Sequence, residues 1–177
     1  HVGTFDRRKN LPLLVQAFAT YLKQSKNPKK LVLAGGAGQS HQLNDLPEVT
    51  RLIGSLGLEK EVLLPGYLSD AEIKALYQGA FAYVFPSTNE GFGIPILEAM
   101  NFGLPVIHSD QTALVAVAAA AALAFQTNSP ADLTEKMILL EEDETLRTNL
   151  ILQGKEREKE FTAEKFIAAF HRLILSA

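Results

Sequence analysis

Short, unbroken apolar runs alternate along this chain with segments of helical spacing. Leu31–Ala34, Glu61–Leu64, Phe81–Phe85, Pro105–His108 and Ala121–Phe125 read as strands, and His1–Thr4 as the end of a first one. Runs without polar alternation belong to strands covered on both faces, as in parallel sheets. Between them, Leu14, Phe18 and Leu22, with Ala17 and Tyr21, draw an apolar helical stripe. Pro47–Leu56 reads as a helix stopped by Gly57. Ser69-Asp-Ala-Glu72 matches a capping box that opens a helix to about Gln78. Further helices are expected at Pro95–Phe102, with Gly103 as its cap, and at Pro130–Glu141, Thr145–Glu160 and Thr162–Leu175. Strand and helix in alternation predict an α/β, Rossmann-like fold. Its doubly wound parallel sheet carries helices on both faces, in a single domain over residues 1–177.

Composition narrows the functions this fold could carry. An apolar content of 47% over 177 residues suits one globular, soluble domain. The net charge of −3 argues against a nucleic-acid partner, which needs a basic surface. Cysteine is absent, so disulfides, thiolate zinc sites and thiol nucleophiles are excluded. No apolar run has transmembrane length, and no signal peptide is visible. The opening His1-Val-Gly-Thr lacks a starting methionine and is already strand-like, which suggests a piece of a longer protein.

The chemistry concentrates in Ser87–Met100, S-T-N-E-G-F-G-I-P-I-L-E-A-M. Pro86 ends the preceding strand because it donates no ladder hydrogen bond. Gly91 and Gly93 permit a tight turn, and Pro95 is pre-set for the first turn of a helix. Free amides at such a helix start can bind an anion. Glu90 lies in the turn and Glu98 within the helix. A carboxylate there can serve a ligand or merely complement the helix dipole, and spacing alone leaves both open. In an open α/β sheet, ligands bind at the carboxyl edge of the strands.

Arg7, Arg8 and Lys9 form a dense cation cluster in a loop on that same expected edge. They read equally as a phosphate clamp or as a solvated turn. Gly35-Gly-Ala-Gly38 is neither a dinucleotide fingerprint nor a Walker loop, and reads as a tight turn with close backbone approach. The four histidines lack metal-ligand spacing; His41 and His108 are the two that could reach the ligand edge from loops. Ser87 has no nucleophile-elbow context.

Several stretches in order resemble one family. They are V-G-T-F-D-R-R-K-N (Val2 to Asn10), L-V-L-A-G-G (Leu31 to Gly36), L-P-G-Y-L-S-D (Leu64 to Asp70), L-Y-Q-G-A (Leu76 to Ala80), F-P-S-T-N-E-G-F-G-I-P-I-L-E-A-M (Phe85 to Met100) and G-L-P-V-I (Gly103 to Ile107). Together they resemble the C-terminal, donor-binding domain of family-four retaining glycosyltransferases with the GT-B fold. The resemblance implies that Glu98 holds the ribose hydroxyls of a nucleotide and that Glu90 faces the donor sugar. It implies that Gly91, Phe92, Gly93 and Ile94 offer amides to sugar and diphosphate, that Lys9 with Arg8 clamps the diphosphate, and that Tyr67 and Leu68 lie beside the base. Glu90, Lys9 and Arg8 are thus the expected catalytic set.

The resemblance further implies a metal-independent, cofactor-free reaction on a nucleotide-diphosphate sugar such as GDP-mannose or UDP-glucose, with retention of configuration. It implies a cytoplasmic enzyme of polysaccharide or glycolipid synthesis, at the inner face of the membrane. The acceptor domain would precede these residues, supply the other wall of the cleft and make any peripheral membrane contact. Alone, this half should bind donor and transfer little. The sequence departs from the family at three places. Thr4 stands where an arginine often follows the glycine, and is kept among the donor-binding positions. An alanine run at 116–122 replaces the usual Pro-Glu and Gly-Asp segment, and Thr162-Ala-Glu lacks a common tryptophan. The alternatives are a GT-B nucleotide-sugar epimerase and a non-enzymatic flavodoxin-like module. The E-G-F-G-I-P run favours the transferase, and Asp6 alone is poor support for a phosphoacceptor cluster.

Overall fold

The structure, a computed structural model, describes residues 1–37, 43–162, 164, 165, 167 and 171. Gly38, His41 and much of the helix expected over Thr162–Leu175 lie outside the described residues. Among the described residues, five strands alternate with helices: β1 (Leu31–Ala34), β2 (Val62–Gly66), β3 (Tyr83–Phe85), β4 (Val106–Ser109) and β5 (Leu123–Phe125). The helices are α1 (Leu11–Gln24), α2 (Leu46–Leu56), α3 (Asp70–Gly79), α4 (Ile94–Asn101), α5 (Thr112–Ala118), α6 (Pro130–Glu142) and α7 (Glu144–Glu158). Every strand pair is parallel, β1 with β2 and β4 with both β3 and β5.

Local chemistry accounts for the helix ends. Ser69 and Glu72 form both halves of the expected capping box: Ser69 N–H donates to the Glu72 carboxylate at 2.8 Å, and Glu72 N–H to Ser69 Oγ at 3.4 Å. Gly57 takes the left-handed conformation that ends α2, and Gly103 does the same just past α4.

The apolar core divides between the two faces of the sheet. Val84 and Ile107 join α1, α2 and α6 on one face. Tyr83, Phe85 and Val106 pack with α4, α5 and Tyr77 of α3 on the other. Successive strand residues point to opposite faces, so the short strands Y-V-F and V-I feed both cores at once.

Several strand boundaries differ from expectation. The first strand shrinks to a single parallel bridge, Val2 with Ala34, because Gly3 at φ +149° turns the chain out of the extended region. The strands therefore fall into a two-stranded and a three-stranded sheet, with the N-terminal segment at the seam. There the His1 backbone nitrogen donates to Val32 O at 2.9 Å. An apolar cavity of about 450 Å³ lies beside it, between Val32 and Val84. β2 runs on through Pro65 and Gly66, past its expected end at Leu64; as an edge strand it tolerates proline, and Gly66 O still accepts from Gly35 N–H at 2.8 Å. Finally, only Tyr83–Phe85 of the run from Phe81 is in the sheet.

Candidate functional site

Parallel strands deliver all their carboxyl ends to one edge. The segments meeting there are the turn around Arg7–Lys9, Gly35–Gly36, Tyr67–Leu68, Ser87–Gly93 and Asp110–Gln111. Two of them are stitched together. Arg7–Lys9 is a single 3-10 turn, closed by Lys9 N–H donating to Asp6 O at 2.8 Å. Asn10 follows in the left-handed conformation that asparagine tolerates, and α1 starts. Thr88 N–H then donates to Arg8 O at 2.7 Å, which pins the turn against the loop after β3.

That staple brings three charged side chains into contact. Lys9 Nζ lies 2.6 Å from one oxygen of Glu90, and an Arg8 guanidinium nitrogen lies 2.7 Å from the other. The Lys9 side chain is 8% exposed and that of Glu90 11%. Lys9 Nζ also sits 4.6 Å from the centre of the Phe85 ring, which gives the buried ammonium a cation–π contact. Burial alone would push the Glu90 carboxyl up. The Lys9 hydrogen bond and charge, with Arg8 beside them, outweigh burial and hold it below the usual carboxylate range. Glu90 is therefore ionised at neutral pH, and Arg8 also lies 4.0 Å from a second carboxylate, Asp6, so the two cations are balanced by two anions.

The turn after Glu90 divides its two glycines between different jobs. Gly93 has φ +104°, and a Cβ built there would lie 2.7 Å from Leu114 Cδ2 on α5, so only glycine fits. Gly91, expected to share that role, lies outside the positive-φ region, and a Cβ there would meet nothing within 4 Å. Its surroundings are open space on the ligand edge. α4 begins directly after Gly93, with proline in its first turn and no side-chain cap. Among the described residues, no protein acceptor takes the amides of Gly91, Phe92 or Gly93. Phe92 and Ile94 project outward, both exposed.

The remaining expected site residues lie less close. Glu98 is exposed on α4 beyond the first turn. The Tyr77 phenol is pushed well up, first by burial and then by the Glu98 charge. Thr4 donates its hydroxyl to Asp6 at 2.6 Å, so its polar group is already committed. Tyr67 is 89% exposed and Leu68 half-buried, on the loop after β2. His108 is not on a loop: it lies within β4, buried, with Nδ1 at 2.7 Å from Ser109 O, and burial lowers its pKa. Ser87 is fully buried, which removes it as a nucleophile.

Four contributors had no signal in the sequence: Thr88 pinning Arg8, Phe85 beneath Lys9, Leu114 against Gly93, and Ser109 donating to Ser87 O. Each joins residues far apart in the chain, and neither periodicity nor spacing encodes such pairs.

The alanine run forms the end of α5 and a 3-10 turn, Ala119–Ala121, with Ala118 and Ala121 buried. Ala119 has φ +48° and ψ −132°, a conformation costly for any residue with a Cβ. Among the described residues, no helix is long and apolar enough to cross a membrane, and no three His, Cys, Asp or Glu side chains group as metal ligands.

Comparison with known proteins agrees with this fold. Residues 1–157 match the family described as glycosyl transferases group 1. The chain is 30% identical over 164 residues to the O-antigen chain mannosyltransferase B of Escherichia coli, covering 93% of this chain and 42% of that protein. Anabaena Alr3699/HepE, solved in complex with UDP, superposes with a TM-score of 0.87 at 21% identity, over 100% of this chain and 48% of that one. The C-terminal domain of the Francisella tularensis glycosyl transferase group 1 protein LpcC, solved by itself, gives a TM-score of 0.75 at 24% identity, over 88% of this chain and 80% of that one. The chain thus spans about two fifths of the mannosyltransferase it matches.

Proposed function

The chain belongs to the glycosyl transferases of group 1, and from that premise we propose that it is the donor-binding half of a hexosyltransferase. The observation that carries the reading is the Lys9–Glu90–Arg8 cluster beside the start of α4. Two cations and a row of unused amides suit a diphosphate, whose charge grows as the bond to the sugar breaks. Lys9, Arg8 and the amides of Phe92, Gly93 and Ile94 stabilise that charge from fixed positions. No metal is required in this scheme, since the cations take its place.

Glu90 has a double task here. Its carboxylate aligns Lys9 and Arg8 before the donor arrives, and its negative charge favours the oxocarbenium-like sugar as the bond lengthens. Glu98, free on α4, takes the ribose hydroxyls, while Tyr67 and Leu68 border the base. Retention of configuration and a place on the cytoplasmic side of the membrane belong to the same reading. The acceptor site belongs to an N-terminal domain beyond these residues, so the 177-residue chain alone binds donor and transfers little.

The Escherichia coli relative is a mannosyltransferase, which points to mannose and hence to GDP-mannose ahead of UDP-glucose, with a growing polysaccharide as acceptor. Calorimetric titration of GDP-mannose, UDP-glucose, GDP and UDP decides this. The reading predicts saturable binding of one nucleotide family, unchanged by EDTA. Binding to none of the four contradicts it, and a requirement for divalent metal contradicts its account of the cations.

A further inference from the structure

The end of α7 reaches the donor-binding turn from a direction the reading above does not use. α7 lies tightly on α4: a Cβ at Gly154 would come within 3.0 Å of Met100 Cγ. One turn later Arg157 donates to Val117 O at 2.9 Å and to Ala116 O at 2.7 Å. These are end carbonyls of α5, which have no partner further along their own helix. The same guanidinium lies 4.7 Å from the centre of the Phe161 ring. Phe161 in turn meets Phe92 edge-on, with ring centres 5.7 Å apart and planes at 80°. A continuous run of contacts thus leads from α5 through Arg157 and Phe161 to the turn at Phe92.

The turn is therefore gripped on two sides. Leu114 of α5 presses against Gly93 from within, and Phe161 braces Phe92 from outside. Both aromatic rings are partly in water, Phe92 at 44% exposure and Phe161 at 36%. Neither is a core residue whose packing holds the domain together. What the pair fixes is the course of the backbone between Gly91 and Ile94, where the unused amides lie.

We propose that Phe161 and Arg157 are positioning residues, which hold the Gly91–Ile94 turn in the shape that receives the donor diphosphate. The inference rests on the donor-binding reading for its ligand, but not for the coupling itself. Arg157 fixes Phe161 against the end of α5, and Phe161 fixes Phe92. A shift of about 1 Å in such amides can cost up to about a hundredfold in function.

The test uses the 177-residue chain carrying Phe161→Ala, read by hydrogen exchange of individual amides and by titration with GDP and UDP. The proposal expects an almost unchanged melting temperature, exchange of the Ile96 amide, which donates to Gly93 O at 2.9 Å, faster by about tenfold or more, and nucleotide affinity about tenfold weaker. Phe161→Tyr, which keeps the ring contact, restores both. Leu152→Ala, an exposed change elsewhere on α7, alters neither. Unchanged exchange and affinity in a folded Phe161→Ala chain overturn the proposal. Should Phe161→Ala fail to fold, Arg157→Lys is read in the same way, since it keeps the charge but loses the two-carbonyl grip. A wild-type chain that binds neither nucleotide sinks the donor reading, and the exchange experiment still decides whether Phe161 holds the turn.

Discussion

Two stretches of the same sheet edge are built in opposite ways. At the Arg7–Lys9 turn and the loop after β3, every charged group has a partner: Lys9 and Arg8 share Glu90, Thr88 pins Arg8, and Gly93 is wedged against Leu114. At the loop after β2, Tyr67 stands almost wholly in solvent, and no ion pair ties it down among the described residues. Under the proposed donor-binding reading, the difference matches the chemistry each side would meet. A diphosphate carries concentrated charge, and meeting it with pre-placed groups avoids reorganisation as that charge grows. A base offers a flat, weakly polar face, which an exposed ring can approach after the phosphates are held.

The comparison breaks most visibly at Gly93. Gly93→Ala combines a disfavoured φ with a Cβ 2.7 Å from Leu114 Cδ2, and should destabilise the chain by about 2–4 kcal/mol in urea unfolding. Gly91→Ala meets open space, so the same measurement should register less than about 1 kcal/mol. Equal costs at the two glycines would mean that the turn is not wedged as described.

Acid tests the charged side alone. The folded pKa of Glu90 lies below its unfolded value near 4.5. Its contribution is therefore present above that unfolded value and is lost as pH falls through the folded one. Glu90→Gln should flatten this part of the stability–pH curve, whereas a curve identical to wild type would mean the triad adds nothing.

A smaller effect is expected at Ala119, where φ is +48°. Ala119→Gly should stabilise by about 1 kcal/mol, because glycine reaches that conformation without strain. A loss of stability would argue against the backbone assigned to the alanine run. Smallest of all, Tyr67→Ala should weaken nucleotide binding by only about threefold, as expected of an exposed ring, with no change in melting temperature. A loss as large as that from removing a buried cation would abolish the contrast between the two stretches.

Much of this architecture was legible because it is written locally. The L-V-L-A and V-I-H runs, the Ser69–Glu72 box and the glycines at 57 and 103 each fix their own few residues. The carboxyl edge of the strands followed from parallel order alone, and the sequence placed both Glu90 and the R-R-K loop on it, where the structure joins them. What stayed hidden was long-range. Nothing about Thr88 foretells that it grips Arg8, and nothing about Phe161 foretells Phe92. The seam at Val2 was missed because Gly3 acts through one dihedral angle, which an apolar count does not register. Gly91 and Gly93 look alike in sequence, and only the neighbour at Leu114 separates them.

The central claim is that Lys9 belongs to a cradle for a diphosphate and is not simply a buried ion pair. Calorimetric titration of GDP and UDP into wild type and Lys9→Ala tests it most directly. The account predicts that at least one nucleotide binds the wild type, and that losing this charged contact weakens it by about 1.5–3 kcal/mol, roughly tenfold to over a hundredfold. Equal affinity in a folded Lys9→Ala chain, or no binding by wild type, would contradict it.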